Sequence, residues 1–294
     1  MLNTCCIWGD PSIKMQSGTI SSITTNSLFC PFTIGPGWDP ITPEHGMHCA
    51  KSMSGFLDCS QDVLTCLQDK PMNDILVHTY DLGIGNCWMA VQDSEYTSEP
   101  FLVGDPEELL MAGQFNQDID IIIGTNADEG MISFFLALAN PDIWEYYRNN
   151  SDTTIPMMLF GLATPSEVTD LDRQRAHELI EFYVGSVENI NEEHKQGMID
   201  MMTDSVFLYG THRTIKHMVN QIFRSNKIFQ YVLTYQGRFS LSNVYGIPTM
   251  GVCHADDLLY LFEPLGNTTS FNFCCFVDRI YMTFRARSFT CIFV

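Results

Sequence analysis

An α/β fold is what the pattern of apolar residues in this chain predicts, and three observations carry it. Two short, β-branched and nearly continuous apolar runs read as buried strands: Asp118-Ile119-Asp120-Ile121-Ile122-Ile123-Gly124 and Lys227-Ile228-Phe229-Gln230-Tyr231-Val232-Leu233-Thr234-Tyr235. Residues 131–225 between them are spaced mostly as helices, and strands alternating with long helical stretches pack as a sheet with helices around it. Hydrophobic residues make up 45% of the 294 and charged residues 17%, so a sizeable core is available and a disordered tail or fibrous repeat is excluded.

The elements follow in order. Residues 1–60 are rich in Ser, Thr, Gly and Pro and read as irregular, with a turn cluster at Gly35-Pro36-Gly37-Trp38-Asp39-Pro40. Asp105-Pro106-Glu107-Glu108 before Leu109-Leu110-Met111 predicts a short helix: Asp105 caps it, Pro106 takes the first helical position, Glu108 completes a capping box and Gly113 ends it. The first buried strand follows and is expected to end at Ile123. Pro165-Ser166-Glu167 is read as the opening of a helix whose buried face carries Leu171, Ala176, Leu179, Ile180 and Tyr183. Asn191 to about Gln221 holds one or two more helices, Met-rich on the buried side, and the second strand comes next. There is no internal repeat and no low-complexity segment.

Charge and cysteine narrow the function classes. Lys and Arg total 15 against 35 acidic residues, a formal charge of -20, and a chain this acidic repels phosphate backbones, which argues against a nucleic-acid partner. The chain has 11 cysteines without a C-x-x-C pair, which fits a secreted protein with a few disulfides better than a zinc ribbon or a cytosolic enzyme. Two glycosylation sequons agree, Asn149-Asn150-Ser151 and Asn267-Thr268-Thr269, although no signal peptide is visible. Asp278, Arg279, Arg285 and Arg287 interrupt the apolar stretch at 271–294, so no membrane span is read there.

Functional groups in such a sheet gather beyond the carboxyl ends of the strands. The first strand runs into Gly124-Thr125-Asn126-Ala127-Asp128-Glu129-Gly130, where a carboxylate pair lands at the place a catalytic acid would be held. Taken alone, an acidic pair before glycine is an ordinary turn. The second cluster, Gly251-Val252-Cys253-His254-Ala255-Asp256-Asp257-Leu258-Leu259-Tyr260-Leu261-Phe262, sets a histidine at a loop-to-helix junction, a good position for a general base. Asp256 and Asp257 have two readings, as caps of the following helix or as companions of His254 in a metal site; the second is weak because no other histidine sits nearby at ligand spacing. The other seven histidines are scattered and default to the surface.

These segments resemble the type-B carboxylesterase and cholinesterase family of α/β-hydrolases, the arthropod esterases especially, over roughly residues 8–265. The similarity begins at Met15-Gln16-Ser17-Gly18 and continues through Cys59, Cys66-Leu67, Trp88 to Asp93, Phe101 to Leu110, Ile122 to Gly130 and Tyr231 to Gly237. It closes around His254. The resemblance implies an α/β-hydrolase fold and a Ser–Glu–His triad in that chain order, with Glu129 as the acid and His254 as the base. It also implies a disulfide between Cys59 and Cys66, and neither a metal nor an organic cofactor.

One departure outweighs the matches. No G-x-S-x-G nucleophile elbow and no His-Gly-Gly oxyanion segment occurs in the sequence. Ser17 matches a family segment well past the nucleophile. Gly9-Asp10-Pro11-Ser12, which the family carries shortly before its elbow, runs almost directly into Met15-Gln16-Ser17-Gly18, as an internal deletion would leave it. The expected organisation is therefore a remnant of the pre-elbow segment (1–14), a partial carboxylesterase domain (15–265) and a divergent tail (266–294). The fold is expected to be an incomplete α/β-hydrolase with only part of a large, mostly parallel sheet, whose open strand edges and uncovered apolar face would make it fold poorly alone. The parent protein is expected to be a secreted or extracellular serine esterase acting on a small carboxylic ester. This chain, lacking the nucleophile, is expected to be inactive alone. The alternative is a non-catalytic, neuroligin-like adhesion protein, against which the intact Glu129 and His254 stand. The bland reading is a truncated product with no function of its own.

Overall fold

The computed structural model describes residues 22–26, 43–59, 62–81, 98, 100, 102–115, 117, 120–162, 164–221, 227–237, 240–247, 250–261 and 292–293. The 1–14 segment, the Gly35–Pro40 turn cluster, Trp88 to Asp93, the Asn267 sequon and most of the 266–294 tail lie outside them. Four strands form one sheet in the order β1 (Ser22–Asn26), β2 (Asp120–Asn126), β3 (Ile228–Leu233), β4 (Ile292–Phe293). The first three are parallel and the last is antiparallel to β3. A parallel neighbour requires a long crossover, and the chain between β2 and β3 supplies it as the helical block expected at 131–225.

Side chains alternate across β2 and β3 with the period of a strand. Ile121, Ile123 and Ile228 pack with Leu109, Leu110, Ile215 and Met218 on one face, from helices α4 (Pro106–Met111) and α10 (Tyr209–Val219). Ile122, Tyr231 and Leu233 lie on the other face with Val252. The strand does not end at Ile123. It continues through Asn126, because Gly124 stands in register with Tyr231 and leaves the room that ring occupies. A Cβ on Gly124 would lie 1.8 Å from the ring.

The largest core belongs to the crossover, where Phe134, Trp144 and Tyr147 stack at 5.1–6.0 Å over Ile155, Leu159, Met198, Ile199, Met201 and Met202. Helices α5 (Phe135–Ala139), α6 (Ile143–Asn149), α7 (Ser151–Phe160), α8 (Asp170–Val184) and α9 (Lys195–Met202) surround it. Pro165-Ser166-Glu167 does not open α8. It forms its own 3-10 turn, after which Val168 is extended and Thr169 caps the helix in a reciprocal box with Asp172. Two bonded partners at Thr169 outcompete the proline signal. Leu171 accordingly falls on the solvent side, 52% exposed, while Ala176, Ile180 and Val184 form the buried stripe flanked by Leu179 and Tyr183. At α4 the Asp105 side chain accepts from Glu108 N–H at 3.0 Å, and Gly113 follows with a left-handed φ of 70°.

The reading of residues 1–60 as irregular is corrected by β1 and by helix α1 (Pro43–Phe56). Cys49, Met53 and Leu57 recur every four residues there, and Met53 and Leu57 pack over α2 (Val63–Gln68) and α3 (Met72–Asp81) through Cys66, Leu67 and Ile75. Cys59 and Cys66 form the expected disulfide, and Cys49 is disulfide-bonded as well. No helix among the described residues is long and apolar enough to cross a membrane.

Candidate active site

The carboxyl end of β2 and the turn after β3 meet at one place. Thr125, Asn126 and Glu129 are fully buried there, and His254 is 5% exposed. Glu129 opens a 3-10 turn, Glu129–Phe134, that folds its side chain back under the strand end. Asn126 N–H donates to Glu129 Oε1 at 2.7 Å, and His254 Nδ1 lies 2.5 Å from Glu129 Oε2. One carboxylate oxygen is thus fixed by its own loop and the other by a ring 125 residues away. An ionised carboxylate only accepts, so Nδ1 carries the proton and Nε2 keeps the lone pair of a base.

The acidic pair read from sequence splits into two jobs. Glu129 turns to the histidine, whereas Asp128 ties the two loops together: its N–H donates to Val252 O at 3.0 Å, and its Oδ2 accepts from Val252 N–H at 2.8 Å. Its Oδ1 accepts from Gln196 Nε2 on α9 at 2.9 Å. Gly251 has a φ of 65° and passes so close that a Cβ on it would lie 2.3 Å from Asp128 Oδ2, so glycine is required on both counts.

Asp256 and Asp257, which the sequence left open as caps of the following helix α11 (Leu258–Leu261) or as companions of His254 in a metal site, bond to groups that brace the site. Asp256 accepts from Leu241 N–H at 2.7 Å and from Cys253 N–H at 2.9 Å, pinning the turn on both sides of His254. Asp257 accepts from Tyr231 O–H at 2.7 Å and from Asn126 Nδ2 at 3.2 Å, which links β2, β3 and the histidine turn. Among the described residues no group of three or more His, Cys, Asp or Glu side chains is arranged to hold a metal ion. Burial pushes the Asp256 carboxyl up to about 6 against the pull of the N–H groups it accepts. Burial first, then the nearby Asp256 and Glu129 charges, raises the Cys253 thiol; burial and then Asp257 raise the Tyr231 phenol. Cys253, buried and not disulfide-bonded, is therefore an inert thiol beside the histidine.

Sequence reasoning missed the groups that surround the pair. Asn126 Nδ2 also donates to Cys253 O at 3.0 Å, and Phe207 sets its ring 5.2 Å from that of His254. Asn126 stood in the quoted motif, but which groups its amide bonds is set by the fold at the strand end. Phe207 carries no signal, because only tertiary packing brings it there. Of the remaining histidines whose side chains are described, His48 and His212 are exposed, His177 pairs with Asp152, His194 bonds Asn191, and His217 reaches Glu107 at 3.2 Å.

Comparisons with known proteins agree with this architecture. The chain is 30% identical to juvenile hormone esterase of Tribolium castaneum over 186 residues, covering 60% of this chain and 30% of that protein. It is 26% identical to esterase FE4 of Myzus persicae over 229 residues, covering 74% and 37% respectively. The crystal structure of juvenile hormone esterase from Manduca sexta, with OTFP covalently attached, superposes with a TM-score of 0.57 at 22% identity, over 81% of this chain and 44% of that one, which establishes an α/β-hydrolase fold. The chain thus spans between 30% and 44% of the length of these proteins. The carboxylesterase family model matches residues 25–273, most of the sequence, and the chain belongs to the carboxylesterase family.

Proposed function

We propose that Glu129 and His254 are the acid and base of a carboxylic ester hydrolase whose nucleophile does not lie within this chain. The observation that carries the proposal is the buried 2.5 Å contact between His254 Nδ1 and Glu129 Oε2, made by residues far apart in sequence at the carboxyl ends of parallel strands. In this reading His254 Nε2 takes the proton of an attacking serine hydroxyl as its oxygen adds to the ester carbonyl, and returns it to the departing alcohol. A water deprotonated by the same nitrogen then releases the acid. Glu129 holds the Nδ1–H tautomer and stabilises the imidazolium at each transfer. The oxyanion that forms in both steps needs backbone donors, for which the sequence carries no His-Gly-Gly segment. A base without a nucleophile supplies little rate, so this chain alone is inactive.

Secretion and glycosylation belong to the same reading. The Cys59–Cys66 disulfide requires an oxidising compartment, and Asn149 of the first sequon is exposed at the end of α6. Incubation of the purified chain with a fluorophosphonate probe tests the inactivity. The expected result is no stoichiometric label and no turnover of an activated ester; one label per chain would reveal a nucleophile and overturn that part of the proposal.

A further inference from the structure

Between α9 and α10 the chain does not continue as an α-helix. Residues Thr203–Leu208 form a π-helical turn, a rare insertion that recurs at functional sites. Two of its side chains, four residues apart and both buried, meet the backbone next to Glu129 and the ring of His254. Thr203 Oγ1 accepts from Gly130 N–H at 2.9 Å and donates to Ile199 O at 2.9 Å, so the residue next to Glu129 is bonded directly to the start of the turn. The approach is too close for any side chain: a Cβ on Gly130 would lie 2.2 Å from Ile199 O and 2.9 Å from Thr203 N. Phe207 holds its ring centroid 5.2 Å from that of His254 at an interplanar angle of 50°, within the range where an aromatic face attracts a cation.

We propose that the π-turn Thr203–Leu208 is a positioning element for the acid–base pair, in which Thr203 fixes the backbone that carries Glu129 and the Phe207 ring favours the imidazolium state of His254. The inference rests on the acid–base reading above and adds how that pair is held. A neutral imidazole gains little from the quadrupole of a phenyl ring, whereas the imidazolium, the form that has just accepted a proton, gains an electrostatic attraction in a site where water cannot compete. Thr203 acts differently. Its hydroxyl is the acceptor for the Gly130 N–H, and without it that buried donor is left unpaired and the Glu129 turn loses its anchor. Among the described residues, Glu129 from the β2 turn bonds His254, Cys253, Asp256 and Asp257 lie on its own turn, and Tyr231 from β3 bonds Asp257. All are unchanged in the variants that test the proposal.

The test is proton and nitrogen NMR of the full chain labelled at histidine, with the His254 signals assigned by their disappearance in His254→Gln. In the parent chain a downfield resonance marks the proton between Nδ1 and Glu129. Thr203→Val is expected to broaden or abolish it by exchange, and Thr203→Ser, which keeps the hydroxyl, to retain it. Phe207→Leu is expected to lose the imidazolium form at lower pH than the parent, while Phe207→Tyr keeps the parent behaviour because the ring remains. Circular dichroism identifies a variant that merely unfolds, and the Ser and Tyr variants then carry the comparison against the parent. A bridging proton indifferent to Thr203→Val, or identical titrations in Phe207→Leu and the parent, overturns this inference while leaving the pair intact. The absence of that proton from the folded parent would instead overturn the acid–base reading itself.

Discussion

At the scale of single residues, the site is built from groups whose places leave no latitude. Gly124 faces Tyr231 across the β2–β3 ladder with no space for a methyl group. Gly124→Ala is therefore expected to cost at least about 1–3 kcal/mol, read as a lower urea midpoint at unchanged slope. Asp256 is a carboxylate held in a buried position that favours its neutral form, with its folded value near 6 above the ordinary 3.8. The sign follows from proton counting: between those values the native state binds the proton more tightly, so the group stabilises the fold most at low pH and that contribution is lost as pH rises through 6. The stability of the parent chain relative to Asp256→Asn is expected to increase by roughly 3 kcal/mol at most as pH falls from 7 to 4. Denaturant titrations of both proteins at several pH values measure it, and a difference that stays flat or moves the other way contradicts the assignment. Glu129 and His254 were legible in the sequence because motifs surround them. Asn126 and Asp128 were visible but not their roles, since the split of the acidic pair depends on which side chain turns back under β2.

At the scale of elements, local chemistry decided the boundaries and long-range packing decided the exceptions. The short helix at Asp105 and both long strands were readable from caps and apolar runs, and the structure keeps them. The opening of α8 was misread because a proline followed by an acidic residue is a strong start signal, yet the reciprocal Thr169–Asp172 box four residues on is stronger. Thr169→Ala is expected to destabilise the chain by about 1 kcal/mol, measured as a fall in thermal midpoint. Helix α1 was hidden by the Ser, Thr and Gly content around it, although Cys49, Met53 and Leu57 already repeat at helical spacing. The π-turn had no sequence signature at all. It exists because α9 must deliver Met198, Ile199, Met201 and Met202 to the core while Thr203 and Phe207 still reach the site.

For the whole molecule, the family was legible because two specific motifs occur in the right order, and the α/β class because strands and helices alternate. How the two motifs are braced was not, since Asp128, Asp256, Asp257 and Gln196 make bonds that join elements separate in sequence. The module formed by α1, α2 and α3 is held by its own small core and by the Cys59–Cys66 bridge. Closing so short a loop is worth about 2.5 kcal/mol in the chain-entropy account. The Cys59→Ser, Cys66→Ser double variant is accordingly expected to open that module while the site stays folded, which amide exchange resolves as lost protection confined to residues 43–81. The central claim is that this chain supplies two of the three parts of an esterase triad. It is tested most directly by a chimera in which residues 120–261 replace the matching segment of the Tribolium castaneum juvenile hormone esterase, and by steady-state hydrolysis of an activated ester. The account predicts an active chimera whose kcat falls by about four to six orders of magnitude in His254→Gln and by several in Glu129→Gln. A folded, active chimera that keeps its rate in either variant would contradict it.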